Sequence, residues 1–300
     1  MRIRVLYLFC LIFISGVACS MTEQDTYSSE QDTISRIFPV NDTSSIIIND
    51  SLIVMQWNIG HFSFGNSPNS RITDNNYSLA LLYYQDFIKQ VKSDIISLNE
   101  YSTYFADTAD HPKCSADSIL FSSYPYQIIG NNGQQRHYSM NAIFSTIELL
   151  ESETVEYKSN LTATTTSSAI SPSDYYFTRS SFNLSGERIF FVSTHLFFNT
   201  NDNRTVLNQA KELVEFFNNE DYVIICGDFN TDAASLSLFT DAGYTLGNDG
   251  SYLTYPAPTP YRSLDNIIVK GFRINQVLTF PVYLSDHFPI AVSLSIIKPD

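Results

Sequence analysis

The chain is a succession of short apolar runs, each too brief for a helix of ordinary length and each closed by polar residues. "SLIVMQWNI", "DIISL", "YQIIG", "NAIFS", "RIFFVSTHL", "VIICGDFN", "SLDNIIV", "INQVLTF" and "HFPIAVSLSII" all have this form. A core made of such pieces must be carried by β-strands. "SSIIIND" precedes the first run across Asn49-Asp50, a hairpin signal, and Ser185-Gly186 marks a second turn between "DYYFTRSSFNL" and "RIFFVSTHL". "IELLESETVEY" and "SYLTY" are expected as further strands. Only two stretches show helical spacing. Leu79 to Lys92 puts Leu79, Leu82, Tyr83, Phe87 and Val91 on one face, and Asn203 to Phe217 does the same with Leu207, Ala210, Val214 and Phe217. Strands outnumber helices, and hairpins mix with crossovers. That order predicts an α+β fold, two mostly antiparallel sheets packed face to face with helices outside. Lys158 to Asp174 is rich in Ser and Thr and reads as a long loop.

No linker interrupts residues 46–300, so they are expected to form one domain. What precedes them is different in kind. Arg2 and Arg4 lead into an apolar run from Val5 to Ile14, followed by "SGVACS". This is the layout of an export signal, and the run falls short of the ~20 apolar residues that span a bilayer. Cys19 after Val17-Ala18 resembles the lipobox of bacterial lipoproteins, in which that cysteine is lipidated. Gly16 departs from the usual leucine, which leaves an ordinary secretory cut after Ala18 as the alternative. Residues 1–19 are thus read as signal and lipobox, and residues 20–45, rich in Ser, Thr, Asp, Glu and Gln, as a solvated tether. With Cys10 in the leader, only Cys114 and Cys226 remain. No disulfide framework or CxxC metal pattern is implied, and Cys226 reads as a buried thiol.

Several of the apolar runs carry, at or near their ends, a polar residue of metal-binding or proton-transfer type. These are Asn58, Glu100, His195, Asp228 with Asn230, Asp265, and Asp286 with His287. Each alone could close a turn or cap a segment. Together, against the most apolar segments of the chain, they argue for one cluster where strand ends converge. Glu, Asp and Asn are hard oxygen donors, which suit Mg2+, with Mn2+ as the alternative, better than zinc. Histidines oriented by carboxylates move protons near neutral pH. Such a set fits phosphoester cleavage.

Trp57-Asn58-Ile59, Leu98-Asn99-Glu100, Thr194-His195-Leu196, Gly227-Asp228-Phe229-Asn230, Leu264-Asp265-Asn266-Ile267 and Ser285-Asp286-His287 resemble, in order and rough spacing, the motif series of the endonuclease/exonuclease/phosphatase (DNase I-like) superfamily. "MNAIFS" resembles the strand before that superfamily's middle section, and the likeness covers about residues 50–297. The resemblance implies a four-layered α/β sandwich and a Mg2+-dependent phosphodiesterase or phosphatase. Glu100 would be the main metal ligand, with Asn58 and Asp286 nearby. Asp228 would position or activate water, and Asn230 would hold a phosphate oxygen. His287, bonded to Asp265, would act as base or stabilise the transition state, and His195 would donate to the phosphate or leaving oxygen.

In the DNase I branch of the superfamily a glutamate pairs with the histidine matched by His195. The stretch "GNNGQQRHYSMN" offers no carboxylate for that role. Arg136, Asn141 and Arg262 are the candidates for substrate contact. The net charge of −14 argues against a broad electrostatic grip on nucleic acid or anionic lipid. The expected substrate is a phosphorylated small molecule, a lipid head group or a nucleic acid, with contact to a membrane through the lipid anchor only. A secreted nuclease, a sphingomyelinase-like phospholipase and an inactive surface binding module remain the alternatives.

Overall fold

Strand β1 (Leu52–Asn58) sets the plan of the molecule. Its side chains alternate between two faces. Met55 and Trp57 go to one apolar cluster, Leu52 and Val54 to another, and Gln56 and Asn58 continue the second face toward the strand's end. The same grading, apolar at one end and polar at the other, recurs on the facing strands. Ile95, Ser97 and Asn99 show it on β4 (Ile95–Tyr101), as do Ile189, Phe191, Ser193 and His195 on β11 (Glu187–His195). On β12 (Val223–Asp228) the row is Ile224, Cys226 and Asp228. Strand β14 (Asp265–Lys270) runs the other way and brings Asp265 to the polar end.

The structure, a computed structural model, describes residues 51–62, 64–67, 70–71, 77–102, 104–105, 114–115, 121–130, 140–162, 175–198 and 203–298. The remaining strands are β2 (Phe64–Ser67), β3 (Ser70–Arg71), β5 (Tyr104–Phe105), β6 (Cys114–Ser115), β7 (Tyr126–Ile129), β8 (Met140–Ser145), β9 (Ser152–Glu156), β10 (Tyr176–Leu184), β13 (Thr245–Leu246), β15 (Phe272–Thr279) and β16 (Ile290–Ile296). Two six-stranded sheets form, ordered β15-β16-β1-β4-β8-β7 and β13-β14-β12-β11-β10-β9. Every pairing is antiparallel except the central one of each sheet, β1 with β4 and β11 with β12. Helix α1 (Tyr77–Val91) covers the outer face of the first sheet through Tyr83, Tyr84, Phe87, Ile88 and Val91. Helix α2 (Asn203–Phe216), with the short α3 (Ser237–Asp241), covers the second through Val206, Ala210, Leu213 and Phe239. A third cluster fills the space between the sheets. The result is the four-layered α/β sandwich.

Some local expectations need correction. Leu82 and Leu207 are exposed, because each helix turns its aromatic or branched neighbours inward instead. "SYLTY" is not a strand. Asn248 Oδ1 accepts from the amides of Gly250 and Tyr252, which draws the backbone there into a turn. "IELLESETVEY" is strand only from Ser152, where pairing with β10 begins. The start of the long loop is a 3₁₀ turn, Lys158–Thr162, whose first amides donate to the Glu212 carboxylate of α2 at 2.7 and 2.8 Å. The leader, Cys19, the tether, the strand before Asn49-Asp50, Arg136 and loop residues 163–174 lie outside the described residues. Cys226 is buried, as expected of it.

Candidate active site

The polar ends of β11, β12 and β14 lie side by side. His195 pairs in register with Asp228, and Asp228 with Asp265, so three of the residues named above form one row across adjacent strands. His287 comes from the loop before β16. Its Nδ1 lies 2.7 Å from Asp265 Oδ2, and its Nε2 lies 3.6 Å from Asp228 Oδ2. His195 Nε2 approaches the same Asp228 oxygen from the other side at 3.6 Å. Asp228 is therefore flanked by two imidazoles.

The first sheet supplies the facing half. Asn58 Nδ2 donates to Asp228 Oδ2 at 3.1 Å and to Glu100 Oε1 at 3.2 Å, which joins the two sheets at one amide. Glu100 Oε2 lies 3.0 Å from His61 Nε2. His61, Phe62, Glu100 and Asn230 all hold positive φ, between 51 and 59°, without being glycine. Backbone of that kind is strained and concentrates where surrounding structure imposes a geometry. At Glu100 it coincides with a break in the β4–β8 register.

The loop bearing Asp286 and His287 is pinned from three directions. Ser285 Oγ donates to Asn58 O at 2.7 Å, Trp57 Nε1 donates to His287 O at 3.0 Å, and Ala257 N donates to Asp286 O at 2.7 Å. Tyr255 lays its ring against His287, with centroids 4.7 Å apart. Thr254 Oγ1 accepts from the amide of Asp265 at 3.3 Å.

Electrostatics follow from this packing. Burial works against a charged His287, but the carboxylates of Asp265, Asp228 and Asp286 prevail and push it up to about 10, so the ring is an imidazolium at neutral pH. Burial raises Glu100, yet the His61 hydrogen bond and the charges of His195, His61 and His287 bring it down to about 2. Asp228 is raised, first by burial and also by Asp265, against the pull of both histidines.

Asn58, Glu100, His195, Asp228, Asp265 and His287 thus meet in one place, with Asp286 joined to them through Ser285 and Asn230 through its amide on Asp228 Oδ1 at 2.9 Å. Asn230 does not extend the strand, as two-residue alternation would require. Its left-handed backbone turns it back, and one Nδ2 hydrogen goes to Leu196 O at 2.9 Å. Asn141 stands apart from the centre, with its amide donating to Tyr176 O at 2.8 Å. Arg262 lies 3.8 Å from Asp232 and half-buried. His61, Gln56, Asn99, Ser285 and Tyr255 belong to the site without having been singled out. For His61 the signal was present, a histidine three residues after Asn58 beside a glycine.

A hard cation fits this donor set. Glu100 stays ionised at neutral pH, and Asp286 adds a second carboxylate. Asn58 turns its NH2 toward Glu100 and Asp228, and its oxygen accepts from Gly60 N at 3.1 Å, so it would join the ligands only on a turn of its amide. No cluster of three or more His, Cys, Asp or Glu with metal-binding arrangement occurs among the described residues. Mg2+ needs no such cluster, since it is typically held by one or two carboxylates with water completing its shell.

The Endonuclease/Exonuclease/phosphatase family profile matches residues 55–287. No curated protein sequence matches the chain. An endonuclease/exonuclease/phosphatase family protein from Bacteroides thetaiotaomicron superposes with a TM-score of 0.62 at 16% identity, covering 83% of this chain and 98% of that one. The human Nocturnin catalytic domain with bound sulfate gives 0.61 at 17% identity, over 82% and 94% of the two chains. An endonuclease/exonuclease/phosphatase from Beutenbergia cavernae gives 0.60 at 14% identity, over 83% and 72%. At such identities the likeness is one of fold.

Proposed function

The chain belongs to the endonuclease/exonuclease/phosphatase family, and on that premise we propose that it is an exported, Mg2+-dependent hydrolase of phosphoester bonds, a phosphodiesterase or phosphatase. The observation that carries this reading is the environment of Asp228, a buried carboxylate between two imidazoles and bridged by Asn58 to Glu100.

Glu100, with Asn58 and Asp286, would hold the cation, and the chemistry that Mg2+ supplies is neutralisation of charge on the phosphoryl oxygens. Asp228 accepts a proton from water as the water oxygen bonds to phosphorus. Its raised proton affinity suits that task better than an ordinary exposed carboxylate would. The carboxylates around His287 favour its protonated form, so held in orientation by Asp265 it would serve as a donor to the oxygens that gain charge. The alternative role, His287 as the base, would require a neutral ring. His195 would donate to the phosphate or to the leaving oxygen, which takes up a proton from it or from solvent as the P–O bond breaks. The second hydrogen of Asn230 Nδ2 would contact a phosphoryl oxygen. Arg262 and Arg136 are the candidate contacts to the rest of the substrate.

Within this class the substrate is a small phosphorylated metabolite, a phospholipid head group or a nucleic acid. The net charge of −14, with the expected place at the cell envelope, weighs against the last. Lipidation at Cys19 would hold the enzyme at the cell envelope. Hydrolysis of bis-p-nitrophenyl phosphate, p-nitrophenyl phosphate, sphingomyelin, inositol phosphates, DNA and RNA, each with Mg2+, Mn2+ or EDTA, tests the proposal. Turnover that requires the cation identifies the substrate class. Folded, cation-binding protein with no turnover on any member would favour the inactive binding module.

A further inference from the structure

Apolar contacts between two sheets are non-directional, so by themselves they do little to fix one sheet's position on the other. The site spans such a gap, with Asn58 and Glu100 on one sheet and His195, Asp228 and Asp265 on the other. Three buried carboxamides stand on adjacent strands of the first sheet, facing the second: Gln56 on β1, Asn99 on β4 and Asn141 on β8. They are bonded in series. Gln56 Nε2 donates to Asn99 Oδ1 at 2.7 Å, and Asn99 Nδ2 donates to Asn141 Oδ1 at 2.8 Å.

Each amide also reaches a different strand of the second sheet. Asn141 Nδ2 donates to Tyr176 O on β10, and Asn99 Oδ1 accepts from the Asp228 amide on β12, both at 2.8 Å. Gln56 Nε2 lies 3.5 Å from Asp265 Oδ1 on β14. Two of the three cross-sheet contacts therefore fall on residues of the site. Another buried inter-sheet bond, Ser97 Oγ to Ser193 Oγ at 2.8 Å, falls on none of them.

We propose that Asn99 and Gln56 are positioning residues, which hold Asp228 and Asp265 at a fixed offset from Glu100. This rests on the hydrolase reading of the site. Asn99 precedes Glu100 directly, so one peptide unit joins the cation ligand to the bridge. The bridge takes the Asp228 backbone amide and leaves its carboxylate to Asn58, Asn230 and the two histidines. A primary amide accepts and donates at once without charge. A carboxylate at position 99 would add a third negative group beside Asp228 and Asp265.

The test compares full-length Asn99→Leu, which keeps the side chain's size, with Ser97→Ala. Asn99→Leu is expected to lower kcat by about 10- to 100-fold, the usual cost of freeing a group that orients the reacting ones, with KM changed less than about twofold. Hydrogen exchange at the Asp228 amide should lose its protection in the same variant. Ser97→Ala, which removes one inter-sheet bond away from the site, should lose less thermal stability while keeping both kcat and that protection. Gln56→Leu leaves the Asp228 bond in place and should lower kcat by a smaller factor. It carries the comparison if Asn99→Leu fails to fold. Wild-type kcat in Asn99→Leu, or activity that falls in step with stability in both variants, would overturn the proposal. Wild-type protein inactive on every phosphoester overturns the hydrolase reading, and the exchange measurement still decides the bridge.

Discussion

Asp228 is held by more of the site than any other side chain in it: Asn58 bonds its carboxylate, Asn230 caps it, and two imidazoles face it. Asp228→Asn keeps the shape and removes the proton acceptor, so kcat should fall by ~10²- to 10⁴-fold with the fold intact by circular dichroism. His287 makes a separate prediction in the cation-free protein. Its raised affinity adds stability that is fully present below the ordinary value of 6.5 and is lost as pH rises through about 10. Melting temperature should therefore decline over that interval, and His287→Gln should flatten the decline. Glu100 works in the opposite sense. Its stabilising effect is present above 4.5 and disappears as pH falls toward about 2. The identities of these residues were legible in the sequence, since each interrupts an apolar run. Their arrangement was not, because the row His195, Asp228 and Asp265 depends on pairing between strands distant along the chain. The roles of Gln56 and Asn99 were equally hidden, since one buried amide in a strand looks like any other.

At the level of strands and helices, backbone spacing governs the outcome. A Cβ on Gly227 would stand 2.1 Å from Thr194 O, in the parallel pair that carries Asp228 and His195. Gly227→Ala must push those strands apart, and its cost should exceed ~4 kcal/mol in denaturant unfolding, at the severe end for single substitutions. Trp57→Phe tests a gentler link. It keeps an aromatic ring in the cluster under α1 and leaves His287 O without its donor, which should cost ~1–3 kcal/mol and lower kcat. Helices α1 and α2 were readable because amphipathic spacing is a local property. The burial of Tyr84 and Ile88 in place of Leu82 was decided by the sheet beneath. "SYLTY" has strand composition but lies where Asn248 commits nearby amides to a turn. Positive φ at Glu100 and Asn230 is likewise a tertiary imposition, with no glycine to announce it.

For the molecule as a whole, cation binding and stability should be linked. Mg2+ at ~100 times its dissociation constant would add ~2.7 kcal/mol, visible as a rise in melting temperature that EDTA reverses. Glu100→Gln should abolish the rise, and because it also loses the pairing with His61 its melting temperature in EDTA should fall below that of the parent. The rise is read against each protein's own value in EDTA, a comparison that needs no substrate. Strand β1 begins at Leu52, paired with Leu294 at the apolar pole, and runs its seven residues to Asn58 at the polar one. At strand rise this is a span of about 20 Å. Whatever precedes the strand therefore joins the described body at the end opposite Asn58, and the two demands on β1, attachment and site, are kept a full strand length apart.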